Sequence, residues 1–282
     1  MRLADTLAGA RAQLVAAGLT PADAAIDVDL YARTILGWDR ARLLVDQADP
    51  APAALEPRFS EWVERRAHRE PSAYIIGTRE FWGLDFLVSP AVLIPRPETE
   101  FIVEEALPLL RAIDSPRIAD IGTGSGVLAV ALAHELASAS VVATDISAQA
   151  LAVAGRNAAT HGVDSRLTLV QTSYLDGVDG PFDVIVSNPP YVREGDKPAL
   201  SRDVRHEPDV ALFGGDDGLR HVAGVLDAAV AKLRPGGWFL MEFGYGQEDG
   251  VRALIAARPA LRLDRIREDL QGIARTAIVQ RS

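Results

Sequence analysis

The stretch Asp183-Val184-Ile185-Val186-Ser187-Asn188-Pro189-Pro190-Tyr191 is a short apolar run that ends abruptly at two prolines. The run predicts a buried strand, and neither proline has an N–H with which to continue the ladder of a sheet. Asn188 is therefore expected at the carboxyl end of this strand, with its side-chain amide and its backbone free. Open α/β sheets bind their ligands at such strand ends. An ordinary turn with a capping asparagine is the alternative interpretation.

Strand and helix patterns alternate on both sides of this stretch, which is typical of a mostly parallel sheet. We predict strands over residues 117–121, 141–145, 167–170, 183–187, 238–243, 261–266 and 276–280, of which the last two pair antiparallel. The predicted fold class is α/β, a Rossmann-like arrangement with a mostly parallel seven-stranded sheet.

A glycine turn, Asp120-Ile121-Gly122-Thr123-Gly124-Ser125-Gly126, ends the first of these strands. The third glycine of a nicotinamide dinucleotide motif would fall at Val127, and no G-K-[ST] phosphate-binding loop is present. Alternating glycines let the backbone approach a bulky ligand, and Asp120 suits a ligand that carries a cation. Asp145 ends the next strand, where an acid accepts hydrogen bonds from ribose hydroxyls. Together these features favour S-adenosylmethionine; a tight turn with solvated acids is the alternative.

Asn188 and Pro189 offer two acceptors at fixed positions, the side-chain oxygen and the backbone carbonyl, which suit both hydrogens of a planar amino group. Such a nitrogen is a poor nucleophile because its lone pair is delocalised. When the two protein oxygens accept hydrogen bonds from both of its N–H groups, the electron density on the nitrogen rises and the nitrogen is oriented toward a methyl group. Tyr191 is expected to stack on the same planar group.

The composition narrows the classes of partner. The chain has 282 residues and no cysteine, which excludes disulfides, thiolate zinc sites and a cysteine nucleophile and fits a reducing compartment. We expect a cytoplasmic protein with no membrane span, because no apolar run is long enough and the amino terminus resembles no targeting segment. The net charge of −10 weighs against a nucleic-acid substrate.

The chain is predicted to have three parts. Residues 1–72 show helical periodicity and are interpreted as a substrate-recognition domain, with a plain structural cap as the alternative. In its last helix, over residues 55–68, Phe59 and Trp62 are expected to face inward and Arg66 outward. Residues 73–95 are interpreted as a β-hairpin linker with strands over 74–77 and 81–88, and residues 96–282 as the catalytic domain.

The glycine turn, Asp145 and Asn188-Pro189-Pro190-Tyr191 resemble the motifs of class I methyltransferases that modify planar amino groups. Four further motifs are similar to those of the peptide-chain release factor N5-glutamine methyltransferases, the PrmC or HemK family. They are Phe81-Trp82-Gly83-Leu84, Leu93-Ile94-Pro95-Arg96-Pro97-Glu98-Thr99-Glu100, Glu207-Pro208 and Gly214-Gly215-Asp216-Asp217-Gly218-Leu219. The resemblance covers nearly the whole chain.

The resemblance implies methyl transfer from S-adenosylmethionine, without a metal, to the side-chain amide of the glutamine in the Gly-Gly-Gln motif of class I release factors. S-adenosylhomocysteine is then the product. The implied glutamine site consists of Asn188, Pro189, Pro190 and Tyr191. The implied cofactor residues are Thr99, Asp120, Gly122, Thr123, Gly124, Ser125, Gly126, Asp145, Tyr174 and Asn188.

One position departs from the family pattern. Ser173 stands where an acid is common beside the adenine, although Tyr174 matches the aromatic residue that usually follows it. A serine hydroxyl accepts a hydrogen bond more weakly than a carboxylate does.

Two other functions remain open on the sequence. DNA adenine and ribosomal-RNA guanine methyltransferases share the Asn-Pro-Pro-Tyr motif, but the charge of −10 and the lack of a Lys/Arg-rich insertion weigh against them. A cofactor-binding or interaction module without catalysis is the second alternative, and the intact motif at Asn188 weighs against it.

Overall fold

The computed structural model describes residues 1–282, which divide into two units. The first unit contains residues 1–77 together with residues 201–206, and the second contains residues 78–200 and 207–282. The first unit is therefore discontinuous in sequence. None of the helices has both the length and the apolar composition that crossing a membrane requires.

Five α-helices build the first unit: α1 (Leu3–Ala16), α2 (Pro21–Leu36), α3 (Arg40–Val45), α4 (Arg58–Ala67) and α5 (Ser72–Ile76). The ends of α2 follow from the sequence. The Thr20 side chain accepts a hydrogen bond from the Asp23 N–H at 3.1 Å, and Gly37 ends the helix with a left-handed φ of 64°. In the core, Tyr31 of α2 and Trp62 of α4 make an edge contact with 5.5 Å between ring centroids.

Arg66 on α4 is buried, so the prediction that it faces outward is wrong. Its guanidinium donates to Asp27 Oδ2 at 2.6 Å and pairs with Asp203 Oδ2 at 2.8 Å. Arg69 donates to the other Asp203 oxygen at 2.8 Å, and the Ser72 hydroxyl donates to Asp27 Oδ1 at 2.6 Å. A buried guanidinium is tolerated here because two carboxylates surround it. These ion pairs hold residues 201–206 in the first unit.

A β-hairpin opens the second unit, with β1 (Thr78–Phe81) paired antiparallel to β2 (Leu84–Leu87). The prediction of a strand over residues 74–77 is wrong, because residues 72–76 form α5. Gly77 ends that helix with a left-handed φ of 88°. Across the hairpin, the buried rings of Phe81 and Phe86 lie 6.1 Å apart. The hairpin is therefore part of the hydrophobic core and not only a connection between the units.

A seven-stranded sheet forms the centre of the second unit and confirms the predicted fold class. Its strands are β3 (Arg117–Ile121), β4 (Ser140–Asp145), β5 (Leu167–Gln171), β6 (Phe182–Ser187), β7 (Leu233–Glu242), β8 (Leu261–Glu268) and β9 (Ala274–Arg281). The spatial order is β5-β4-β3-β6-β7-β9-β8, with the first five strands parallel and β9 antiparallel to both neighbours. The order reverses beside β3, where doubly wound sheets bind ligands.

Helices cover both faces of the sheet. They are α6 (Glu100–Leu110), α7 (Val127–Glu135), α8 (Ala148–Thr160), α10 (Arg220–Lys232) and α11 (Glu248–Ala256), and a single-turn helix, α9 (Asp209–Leu212), precedes α10. One core cluster joins α6 and α7 to Ile118 and Val184, and the other joins α10 and α11 to Ala119 and Ile185. Because neighbouring residues of a strand point to opposite faces, one strand supplies both clusters.

Arg66→Ala is expected to lower the free energy of unfolding by about 3–5 kcal/mol, because it leaves buried Asp27 without its cation. Arg65→Ala is the matched control on the same helix: Arg65 pairs with Glu70 near the surface, where an ion pair contributes roughly 0–1 kcal/mol. Urea denaturation followed by tryptophan fluorescence measures both variants. Equal losses of unfolding free energy in the two variants would contradict a stabilising role for the buried ion pairs of Arg66.

Candidate active site

A cavity lies at the carboxyl ends of β3, β4 and β6, where the strand order reverses. The register pairs Ile121 of β3 with Ser187 of β6, so the glycine turn and Asn188 begin at neighbouring positions. Gly126 and Tyr191 do not line the cavity. The other residues predicted for the site do: Thr99, Asp120, Gly122, Thr123, Gly124, Ser125, Asp145, Tyr174, Asn188, Pro189 and Pro190.

The glycine turn joins β3 to α7 through left-handed backbone at Gly122, Gly124 and Gly126, with φ values of 71°, 57° and 85°. The N–H groups of Gly122 and Thr123 both donate to the Thr144 carbonyl at 2.9 Å, which ties the turn to β4. A Cβ on Gly126 would lie 3.1 Å from a side chain of α8. Gly126 therefore serves helix packing, whereas Gly122 and Gly124 present bare backbone to the cavity.

Asp120 presents a buried carboxylate to the cavity wall, with 1% of the residue exposed. Its Oδ2 accepts hydrogen bonds from the Thr123 hydroxyl at 2.6 Å and from the Ala129 N–H at 3.2 Å. Its Oδ1 is buried and has no hydrogen-bond partner. Burial raises the pKa of Asp120 to about 7. A buried carboxylate oxygen without a partner fits a ligand that brings a positive charge.

Asp145 lies at the end of β4 and lines the same cavity. Its Oδ2 accepts the N–H of Gly124 at 2.9 Å, and its Oδ1 accepts the N–H of Ser147 at 2.9 Å. Each carboxylate oxygen retains a lone pair for a further donor. Asp145 can therefore hold the glycine turn in place and accept hydrogen bonds from ligand hydroxyls.

The Asn188 side chain is oriented by a chain of hydrogen bonds. Its Nδ2 donates to the Thr99 hydroxyl oxygen at 2.9 Å, and that hydroxyl donates to Glu242 Oε2 at 2.6 Å. The Tyr191 hydroxyl donates to the other oxygen, Glu242 Oε1, at 2.8 Å. Because Thr99 uses its only hydrogen toward Glu242, it accepts from Asn188, which fixes the direction of the carboxamide. Asn188 Oδ1 is thereby left as the acceptor.

Glu242 is the residue of this network that the sequence analysis missed. It ends β7 with only 2% exposed. Burial raises the pKa of Glu242, and the charge of Glu242 raises the pKa of Tyr191 well above the usual value. The sequence did contain a signal for Glu242, because it is the single acid in the apolar run Trp238-Phe239-Leu240-Met241-Glu242-Phe243. Tyr191, expected to stack on a substrate, is instead directed to this carboxylate.

Glycines and a glutamine hold the backbone of the Asn-Pro-Pro-Tyr motif. A Cβ on Gly214 would lie 2.6 Å from the Pro190 carbonyl oxygen, and one on Gly218 would lie 2.2 Å from the Tyr191 carbonyl oxygen. The Gln247 side chain donates to that same Tyr191 carbonyl at 2.9 Å. The Gly-Gly-Asp-Asp-Gly-Leu motif thus allows a close approach of two backbones, which only residues without a Cβ permit here.

Glu207 connects two other motifs of the sequence. Its carboxylate accepts the Ile94 N–H at 3.0 Å and the Arg96 guanidinium at 2.5 Å, although only 4% of Glu207 is exposed. Arg96 and Thr99 line the cavity on the same segment. The Glu207-Pro208 motif therefore fixes the segment that delivers Thr99 to Asn188.

The comparisons with known proteins agree with this geometry. Residues 5–77 match the PrmC N-terminal domain, and residues 100–207 match the methyltransferase small domain. The release factor glutamine methyltransferase of Bradyrhizobium diazoefficiens is 44% identical over 258 residues, which cover 90% of this chain and 86% of that protein. This chain belongs to the release factor glutamine methyltransferase family. Another member, from Moorella thermoacetica, is 43% identical over 257 residues, 89% of this chain and 91% of that protein.

Membership in the release factor glutamine methyltransferase family confirms the resemblance and the enzyme class that the motifs indicated. Among solved structures, a ribosomal protein L11 methylase from Lactobacillus delbrueckii subsp. bulgaricus matches with a TM-score of 0.50 and 26% identity. The match covers 69% of this chain and 84% of that one. The methyltransferase fold that the motifs implied is thereby supported.

Thr99→Val should test the hydrogen-bond chain. It removes the hydroxyl that joins Asn188 to Glu242, so we expect a loss of about 2–3 kcal/mol in the free energy of unfolding, because buried polar groups lose their partners. Thr99→Ser keeps the hydroxyl and removes one methyl group, for an expected loss of about 1 kcal/mol. Denaturant unfolding of both variants gives the comparison. If the serine variant were as unstable as the valine variant, the hydrogen bonds from Asn188 through Thr99 to Glu242 would not explain the loss.

Proposed function

We propose that this protein transfers the methyl group of S-adenosylmethionine to the side-chain amide nitrogen (N5) of the glutamine in the Gly-Gly-Gln motif of class I peptide-chain release factors, in the cytoplasm. One observation carries the proposal. One N–H of the Asn188 carboxamide donates to Thr99, which sets the direction of the group and leaves its oxygen as an acceptor at the cavity wall. The names of the relatives support the release factor as the substrate.

The cavity residues fit S-adenosylmethionine. The unpartnered oxygen of Asp120 suits its positive charge, and the spare lone pairs of Asp145 suit its ribose hydroxyls. Gly122 and Gly124 have no side chains, so the turn that also contains Thr123 and Ser125 leaves room for the ligand beside Asp120 and Asp145. When bound, S-adenosylmethionine supplies an electrophilic methyl group on a positively charged sulfur, and S-adenosylhomocysteine remains after transfer.

Asn188 Oδ1 and the Pro189 carbonyl are the proposed acceptors for the two N–H groups of the substrate glutamine. Accepting from both raises the electron density on nitrogen and orients its lone pair toward the methyl group. Turning the Asn188 carboxamide over, so that its NH2 group took the place of Oδ1, would break the hydrogen bond to Thr99. In the transfer, the substrate nitrogen would take the methyl group as the methyl–sulfur bond breaks, and it would release one proton to solvent, so that a neutral amide remains.

A protein substrate agrees with the surface of the chain. The net charge of −10 disfavours a polyanionic partner, since nucleic-acid binding depends on neutralising phosphates. We assign recognition of the release factor to the helical first unit. Within this unit, Ile26 and Leu30 are exposed apolar residues one turn apart on the same side of α2, which suits contact with another protein.

Methyl transfer from labelled S-adenosylmethionine to a purified class I release factor tests the proposal. We expect label on the release factor and none on a version whose Gly-Gly-Gln glutamine is alanine.

Asn188→Ala should reduce turnover by about 10²–10³, the effect of losing one preorganised polar contact, with little change in cofactor affinity. Label on ribosomal RNA or DNA in place of the release factor would contradict the substrate, and unchanged turnover would remove Asn188 from the mechanism.

The affinity for S-adenosylmethionine should rise with pH. Without ligand the pKa of Asp120 is about 7, so below pH 7 the carboxyl holds a proton that a cationic ligand must displace. Between pH 5.5 and 8 we expect the dissociation constant to fall by roughly thirtyfold. Calorimetry at both pH values measures it. Asp120→Asn should flatten this dependence, and an unchanged slope in that variant would exclude Asp120 as its source.

A further inference from the structure

Tyr174 follows β5 and lines the cavity beside Ser173 and His221. Its backbone is left-handed, with a φ of 49°, a conformation that bulky residues rarely adopt. The Tyr174 carbonyl accepts a hydrogen bond from the buried Thr144 hydroxyl at 2.6 Å. Strained backbone of this kind persists only where the surrounding structure holds it, and it is concentrated at functional sites.

The ring of Tyr174 occupies the space where position 224 of α10 would carry a side chain. A Cβ on Gly224 would lie 2.2 Å from Tyr174 Cζ, 2.4 Å from its hydroxyl oxygen and 2.7 Å from Cε1. Gly224 lies within a regular α-helix, where glycine is a poorer choice than alanine. The backbone therefore does not require glycine at this position; the tyrosine ring does.

His221 holds the same end of the ring. It lies on α10 three residues before Gly224, and therefore on the same side of the helix. Its Nδ1 lies 3.1 Å from the Tyr174 hydroxyl oxygen, and the two ring centroids are 6.2 Å apart. Burial lowers the pKa of His221, as does neighbouring Arg220. Both effects favour the neutral imidazole, whose Nδ1 can accept a hydrogen bond from the Tyr174 hydroxyl.

We infer that Gly224 and His221 are positioning residues for Tyr174, and that they hold its ring as the surface on which the adenine of the cofactor stacks. The inference rests on the proposed function. It assigns the adenine contact chiefly to the aromatic ring, at a site where Ser173 replaces the acid that the family resemblance implies. Stacking depends on the position and tilt of the ring, which α10 sets here.

Binding of S-adenosylhomocysteine, measured by calorimetry on the full chain, tests the inference through a double-mutant cycle. Gly224→Ala should weaken binding by about 10–100-fold, the range for losing one base–aromatic stack. Tyr174→Ala should weaken it to a similar extent. In the double variant Tyr174→Ala with Gly224→Ala, the second substitution should change affinity by less than about twofold, because the ring it would meet is gone.

Gly9→Ala in α1 is the matched control, since a Cβ there meets nothing within 4 Å. It should leave the affinity unchanged. Wild-type affinity in Gly224→Ala, or additive losses in the double variant, would overturn the inference. No binding by the wild-type chain would instead overturn the proposed function, so the two failures are distinguishable.

His221 gives an independent route that does not depend on the folding of the glycine variant. His221→Ala removes the partner of the tyrosine hydroxyl and should weaken S-adenosylhomocysteine binding by about 3–10-fold, a typical cost of one hydrogen bond. The same substitution in the Tyr174→Phe background should have no further effect, because that ring has no hydroxyl. An equal loss in both backgrounds would show that His221 acts on the cavity without Tyr174.

Discussion

The buried carboxylate of Glu242 is the constraint on which the site depends. It receives a hydrogen bond on each oxygen, from Thr99 and from Tyr191. Thr99, Tyr191 and Glu242 come from three distant parts of the chain. A buried carboxylate without hydrogen-bond partners in this position would lower the stability of the fold. Satisfying it fixes the segment before α6, the turn after β6 and the end of β7 together. The orientation of Asn188 then follows from the single hydrogen of the Thr99 hydroxyl.

The motifs that identify the family make physical sense as one assembly. Gly214 and Gly218 leave space for the carbonyls of Pro190 and Tyr191, and Glu207 anchors the segment that carries Arg96 and Thr99. None of these contacts is local in sequence. They explain why stretches that lie 24 to 113 residues apart occur together: each stretch supplies the space, the charge or the donor that another stretch lacks.

Much of the fold could be predicted because its signals are local. Apolar runs of β length marked the seven strands, and the glycine turn and the proline pair marked their ends. Three features could not be predicted because their causes are distant. Arg66 is buried by Asp27 and Asp203, and the short apolar run 72–76 is compatible with a strand or a helix until its packing is known. Glu242 acquired a role only when Thr99 and Tyr191 were brought to it.

The segment of residues 201–206 makes the division of this chain into domains different from its division into sequence blocks. It belongs with the helices of the first unit, yet it is flanked on both sides by residues of the second, so the backbone passes between the units three times. A fragment cut after Gly77 would lose Asp203 and leave the guanidiniums of Arg66 and Arg69 short of a carboxylate. The helical unit is therefore not a removable module: its complete structure includes six residues encoded well inside the catalytic half of the chain.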